Sequence, residues 1–256
     1  MTPDTAAAVL VTLFGLAVGS FLNVCIHRLP RGQSVVWPAS RCTSCGRHLS
    51  WYENIPVLSF VALGGACRTC RSAISPVYPA VELATAAVFV VLYAHFGPTP
   101  LLASRLVFAC AMIVLFVIDL RHRILPNVIT VGGIAVGFAF SLALPPGWTA
   151  SLIGIVAGGG SLLLIAEAYR LVRHEEGLGL GDVKMLGLIG AFLGWKLMLL
   201  TLVLASLLGS VVGIAMIAAG KGGMKYALPF GTFLSTAALV AAVAGDAIIA
   251  WYLGFY

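Results

Sequence analysis

The 256-residue sequence predicts an all-α polytopic integral membrane protein with about eight transmembrane helices and one small cytoplasmic zinc-binding loop domain. Three observations predict it. Hydrophobic residues make up 61% of the chain against 9% charged, and mean hydropathy is +1.05, more apolar surface than a soluble fold of this length can bury. The apolar residues fall into runs suited to a bilayer, with basic residues gathered in alternate connections between them. Four of the six cysteines lie in the one long polar stretch, as two Cys-x-x-Cys pairs.

The first run, about residues 5–26, is followed by His27, Arg28 and Arg31, which places its end in the cytoplasm and the N-terminus outside. Only Asp4 precedes it as a charge and no small-residue cleavage site follows, so it reads as a retained helix, not a signal peptide. The polar segment 27–78 is the only stretch large enough for an extramembrane module. Runs 79–96 and 101–120 are joined by the tight turn Gly97-Pro98-Thr99-Pro100, and Arg121-His122-Arg123 marks a return to the cytoplasm. Run 126–144 leads out, Pro145-Pro146-Gly147 turns, and run 148–172 comes back to Arg170, Arg173 and His174. After a glycine segment, run 183–194 leaves, run 197–219 returns to Lys221 and Lys225, and run 229–252 leaves again. Both termini then lie outside.

Of the 15 Lys and Arg, this topology puts 13 on the cytoplasmic side. Arg105 and Lys196, near the outer surface, read as snorkelling anchors. The net charge of +6 is thereby explained by membrane topology and requires no nucleic acid. Run 183–194 would reach only about 18 Å, against about 30 Å of hydrocarbon. Either the bilayer thins there or the glycine segment before it dips inward, and both options place Asp182 somewhere wet but enclosed.

Asp119 closes the apolar stretch Val114-Leu115-Phe116-Val117-Ile118, and Asp182 follows Gly177-Leu178-Gly179-Leu180-Gly181. An acid at a membrane boundary is costly unless paired, hydrated or used. By the topology, both acids lie at cytoplasmic helix ends and can meet in one layer. Two carboxylates sharing a site do not both ionise readily, so one keeps a proton. Aspartic proteases use that arrangement: the charged partner activates a water and the protonated one polarises the scissile carbonyl. Gly177, Gly179 and Gly181, at alternate positions, remove side chains and let an extended peptide backbone approach.

A purely structural alternative has Asp182 capping its helix and Asp119 paired with Arg121 or Arg123. It suits Asp182 better than Asp119, since an acid at a helix C-terminus opposes the dipole. A proton-coupled transporter would place its acids near the midplane of two matched halves, and no halves match here. A noncatalytic scaffold would account for the cysteines but not the acids.

Cys42-x-x-Cys45 and Cys67-x-x-Cys70, 21 residues apart, have the spacing of a tetrahedral structural Zn²⁺ site. Gly46 permits the tight turn that points backbone N–H groups at the sulfurs. Four thiolates on Zn²⁺ leave a charge of −2, and Arg41, Arg47, Arg68 and Arg71 flank the knuckles to offset it. Two disulfides are the alternative, disfavoured in a cytoplasmic loop. Cys25 and Cys110 read as ordinary helix-buried cysteines.

Taken together, these pieces resemble the type IV prepilin peptidases. Gly19-Ser20-Phe21-Leu22-Asn23-Val24 with Arg28-Leu29-Pro30 resembles the family's N-terminal signature. Leu49-Ser50-Trp51-Tyr52-Glu53-Asn54-Ile55-Pro56-Val57-Leu58-Ser59 and Ile74-Ser75-Pro76-Val77-Tyr78-Pro79-Ala80-Val81-Glu82-Leu83 are similar to its cytoplasmic loop. Asp119-Leu120-Arg121-His122 through Leu125-Pro126-Asn127 resembles the first catalytic motif, Gly179-Leu180-Gly181-Asp182-Val183-Lys184 the second, and Pro229-Phe230-Gly231 the C-terminal one.

The resemblance implies a bifunctional enzyme of the bacterial inner membrane. Such enzymes cut the short basic leader from prepilins and pseudopilins at the cytoplasmic face, typically between Gly and Phe. Many then methylate the new N-terminal amine with S-adenosylmethionine; a peptidase without that second activity is the alternative. Asp119 and Asp182 match the catalytic positions. The implied division is a first helix over 1–26, a loop domain over 27–78 carrying zinc and methyl transfer, and a membrane peptidase domain over 79–256. No glycine fingerprint for a nucleotide follows a strand, so Glu53, Asn54 and Glu82 are methyl-transfer candidates by position alone, each equally readable as a structural contact. Glu167 reads as a local partner of Arg170, and His122 as a solvated loop histidine.

Overall fold

The computed structural model describes residues 3–173, 179–220 and 228–255. They form the helices α1 (Pro3–Arg28), α2 (Leu58–Ala62), α3 (Val77–Phe96), α4 (Pro100–His122), α5 (Asn127–Ser141), α6 (Trp148–Arg173), α7 (Leu180–Ala218) and α8 (Phe230–Leu253), with two short 3-10 turns. Among the described residues, extended pairing is limited to two isolated bridges, so the all-α class is observed. Among the described residues, six helices are long and apolar enough to cross a membrane, and α5, at 15 residues, is shorter than the predicted run 126–144. The outer faces expose apolar side chains such as Leu10, Leu13, Leu164 and Val211, as lipid contact requires.

The chain forms two compact units, Met1–Leu102 and Ala103–Tyr256. In the first, α1 lies directly against α3. A Cβ on Gly15 would stand 2.7 Å from the Ala86 Cα, and one on Gly19 2.7 Å from the Glu82 Cα. Lipid offers no hydrophobic drive for helix association, so close backbone approach and packing supply it. At the end of α1, Asn23 Nδ2 donates to the Tyr78 carbonyl at 3.0 Å. Buried Arg28 donates to the carbonyls of Ser34 and Pro38, strapping the following loop to the helix. These contacts account physically for the N-terminal signature.

In the second unit, Phe108, Met112 and Leu115 of α4 share a core with Met185, Leu188, Ile189 and Phe192 of α7 and Leu234, Ala237 and Ala241 of α8. α7 carries a break at Gly194, whose φ of 77° and ψ of 173° suit glycine alone. The segment 180–193 packs antiparallel to α6 with almost no separation: a Cβ on Gly154 would fall 2.6 Å from the Gly190 carbonyl oxygen, and one on Gly158 2.8 Å from that of Leu186. The segment 195–218 packs antiparallel to α8, with Gly245 against Leu197 and Gly209 against Phe233. Gly181 and Gly231 both face Leu125, while Gly213 faces Leu228. Both ends of α7 therefore return to the start of α8, whereas a straight 39-residue helix would part them by about 57 Å. The chain reverses at Gly194.

Glu167 and Arg170 form the expected pair, at 2.7 Å. Lys196 is exposed above the Trp195 ring, in keeping with an anchor. Arg105 is a correction. It is only 6% exposed and donates to the Phe192 carbonyl at 2.7 Å, so it does not snorkel outward. It lies on the inward heptad face Arg105, Phe108, Met112, Leu115, Asp119, every member of which is buried. Cys25 and Cys110 are partly buried.

Candidate active site and metal centre

Asp119 sits in the last turn of α4, buried, and its Oδ2 accepts hydrogen bonds from the Thr232 backbone N–H at 2.7 Å and the Thr232 hydroxyl at 3.1 Å. Thr232 is the third residue of α8, whose N-cap, Pro229, supplies no side-chain cap. A carboxylate from another helix thus serves the free donors of the α8 N-terminus. Gly231 makes this possible, because a Cβ there would stand 3.0 Å from Asp119 Oδ2 and 3.1 Å from its carboxyl carbon. The Pro-Phe-Gly motif, matched in the sequence by resemblance only, has this physical content.

Asp182 lies in the first turn of α7 and is half-buried, with its N–H on the Gly179 carbonyl at 3.1 Å. An acid in a first turn is favoured by the helix dipole. The capping position itself is taken by Gly179, so Asp182 is not the cap that the structural alternative required. Asp119 and Asp182 line one cavity of about 300 Å³, together with Gly179, Gly181, Arg123 and Lys184. Lys184 donates from Nζ to Asn127 Oδ1 at 2.9 Å, fastening the start of α7 to the start of α5.

The glycines before Asp182 differ in use. A Cβ on Gly181 would meet Leu125 side-chain atoms at 3.1 and 3.2 Å, so Gly181 serves packing. Gly179 is exposed, and the nearest side-chain atom to a Cβ there is Asp182 Oδ2 at 3.7 Å, leaving room for an approaching backbone. Gly177 lies outside the described residues.

The four cysteines Cys42, Cys45, Cys67 and Cys70 come together, all sulfurs within 4.8 Å of one another. The Cys42–Cys70 sulfur separation is 3.8 Å. Tetrahedral zinc with bonds of about 2.3 Å places its sulfurs about 3.8 Å apart, so the donor set fits the ion. The two knuckles repeat one geometry. Cys42 N–H bonds the Arg47 carbonyl and Gly46 N–H the Cys42 carbonyl; Cys67 N–H bonds the Ser72 carbonyl and Arg71 N–H the Cys67 carbonyl. Gly46 and Arg71 hold the same left-handed position, at φ 71° and 58°. Backbone N–H groups of Cys45 and Ser44 pull the Cys42 thiol down to about 6, and the Ser72 hydroxyl and N–H lower that of Cys70, whereas Cys45, despite the Arg47 N–H, is pushed up to about 11 by the neighbouring Cys42 and Cys70 sulfurs. Such donors favour thiolate, the form a metal takes.

Glu53 and Glu82 have structural partners. Glu53 accepts both ends of the Arg47 guanidinium, at 3.0 and 2.6 Å, and the Ser50 N–H at 2.8 Å, closing a capping box on the 3-10 turn Trp51–Asn54. The Arg47 guanidinium holds the Glu53 carboxyl down at about 2. Glu82, buried in α3, accepts the Val57 N–H at 2.8 Å. Val57 has φ 59° and ψ −49°, a strained γ-turn geometry for a β-branched residue, and this buried acceptor holds it. Asn54 is exposed. Sequence reasoning missed Thr232, the Lys184–Asn127 link and the inward role of Arg105; the available signal was a threonine three residues after a proline at the start of an apolar run.

Comparison with known proteins decides the family. The Bacterial Peptidase A24 N-terminal domain matches residues 13–96, and the Type IV leader peptidase family matches residues 106–214. A protein of Pseudomonas aeruginosa named prepilin leader peptidase/N-methyltransferase is 36% identical over 95% of this chain and 92% of its own length. The chain belongs to the type IV leader peptidase family. Relatives of the same name in Aeromonas salmonicida and Myxococcus xanthus are 36% and 44% identical, covering 95% and 85% of this chain and 93% and 66% of their own lengths. No solved structure matches. Within this leader peptidase family member, the first matched region holds the four cysteines and the second both aspartates.

Proposed function

We propose that this family member is a membrane aspartic endopeptidase that removes the leader from type IV prepilins or pseudopilins and then N-methylates the new N-terminal residue. The observation that carries the peptidase reading is the shared cavity of Asp119 and Asp182. A water between the carboxylates loses a proton to the charged one as its oxygen attacks the scissile carbonyl carbon. The protonated partner gives its proton to the carbonyl oxygen, and collapse of the resulting diol releases the amine, which takes up a proton. The substrate backbone runs past Gly179, where no side chain intrudes.

The topology supports eight crossings, with the reversal at Gly194 accounting for two within α7. Both termini then lie outside and the dyad faces the cytoplasm, where a basic leader would remain while its apolar helix docks among the spans. The inner membrane of a bacterium is the setting that family membership implies. Cys42, Cys45, Cys67 and Cys70 would hold Zn²⁺, which as a structural ion would hold the two knuckles of the 27–78 module together. S-adenosylmethionine would supply the methyl group. Glu53 and Glu82 brace that module, Glu53 through Arg47 and Glu82 through Val57, and Asn54 is a surface residue. Co-expression with a prepilin tests the dyad: Asp119→Asn and Asp182→Asn should each leave the precursor uncut, and full cleavage by either would overturn it.

A further inference from the structure

The short segment 180–193 that carries Asp182 ends inside the apolar core, at the break at Gly194. The last carbonyls of any helix lack intrahelical donors, and here Ala191, Phe192 and Leu193 are buried, so other donors must serve theirs. Two buried side chains supply donors. Arg105 of α4 donates from Nη1 to the Phe192 carbonyl at 2.7 Å, and Ser151 of α6, fully buried, donates from Oγ to the Ala191 carbonyl at 2.8 Å.

The placement of Arg105 is not incidental to the dyad. It lies fourteen residues before Asp119 on α4, close to four turns, so both project from the same helical face. Between them stand Phe108, Met112 and Leu115, all fully buried in the core that includes segment 180–193. One end of this seam carries a carboxylate and the other a guanidinium. α4 therefore meets the Asp182 segment twice, through the cavity at one end and through the Arg105–Phe192 bond at the other. Phe192 is ten residues beyond Asp182, about 15 Å along the helix.

We propose that Arg105 and Ser151 are positioning residues for the dyad: by terminating segment 180–193 they fix its axial position, and with it the depth at which Asp182 faces Asp119. The proposal rests on the reading of both aspartates as catalytic. A misplacement of about 1 Å at a reacting group can cost about a hundredfold in rate, whereas substrate binding along the cavity is left intact.

The experiment uses the full chain in membranes with a purified prepilin, measuring kcat and KM for Arg105→Met, Arg105→Lys, Ser151→Ala and Asp182→Asn. Arg105→Met should lower kcat by about 10- to 100-fold with KM little changed. Arg105→Lys, which keeps a cationic donor, should recover most of that loss, and Ser151→Ala should lower kcat by a few fold. Arg105→Met acting within about two-fold of the unsubstituted enzyme would overturn the proposal, as would a fall confined to KM. If Arg105→Met does not accumulate as folded protein, Ser151→Ala and Arg105→Lys decide: an unchanged kcat for Ser151→Ala, or an inactive but folded Arg105→Lys, overturns it. Cleavage surviving Asp182→Asn would instead remove the dyad reading beneath it.

Discussion

A methyl group at Gly231 would stand 3.0 Å from the Asp119 carboxylate oxygen, against the same face that receives the Thr232 N–H. Gly231→Ala should therefore push the carboxylate from its seat, lowering leader cleavage by about 10- to 100-fold while the unfolding temperature in detergent stays close to that of the unsubstituted protein. Glu53 gives a pH test at the same scale. Its folded carboxyl is held near 2, below the ordinary 4.5, so its contribution is fully present above about pH 4.5 and is lost as pH falls towards 2. The stability gap between the unsubstituted protein and Glu53→Gln, followed by circular dichroism, should close over that window; a gap constant to pH 2 would contradict the Arg47–Glu53 account. Cysteines and paired acids were legible in the sequence because their side-chain chemistry has few other uses at such spacings. The Thr232–Asp119 and Arg105–Phe192 bonds were not, since they join residues 113 and 87 positions apart and no local pattern encodes the pairing.

Among the elements, α7 shows most directly how length and packing shape the site. The shortness of run 183–194 could be read directly from the sequence, and the structure resolves it as a segment that starts at Leu180 and turns back at Gly194. What the sequence did not disclose is how closely that segment lies on α6. A Cβ at Gly190 would fall 2.2 Å from the Gly154 carbonyl oxygen, a backbone atom that cannot rotate away. Gly190→Ala should cost about 1–3 kcal/mol of stability, the range for overpacking a tight core, measured by unfolding in detergent. Gly132→Ala, where a Cβ meets nothing within 4 Å, is the matched control and should leave stability nearly unchanged. The predicted helix 126–144 came out as Asn127–Ser141, because apolar content alone does not mark where a helix gives way to a turn before Pro145 and Pro146.

For the whole molecule, the two compact units suggest a division of work, with the cysteine module in one and the aspartate cavity in the other. Charge asymmetry made the membrane class and the order of runs readable, since basic side chains rarely lie in hydrocarbon. The close pairing of α1 with α3 was not readable in that way, because Gly15 and Gly19 carry no hydropathy signal. Purified enzyme should contain about one zinc per chain, lost in Cys42→Ser and Cys67→Ser. Those variants should still cut a prepilin but leave its new N-terminus unmethylated, whereas loss of cutting as well would give zinc a general folding role.

The most direct test is the intact mass of a prepilin after incubation with the unsubstituted enzyme, Asp119→Asn or Asp182→Asn, each supplied with S-adenosylmethionine. The account predicts a leaderless product one methyl group heavier from the first and unchanged precursor from the other two. Leaderless product from either aspartate variant would contradict it.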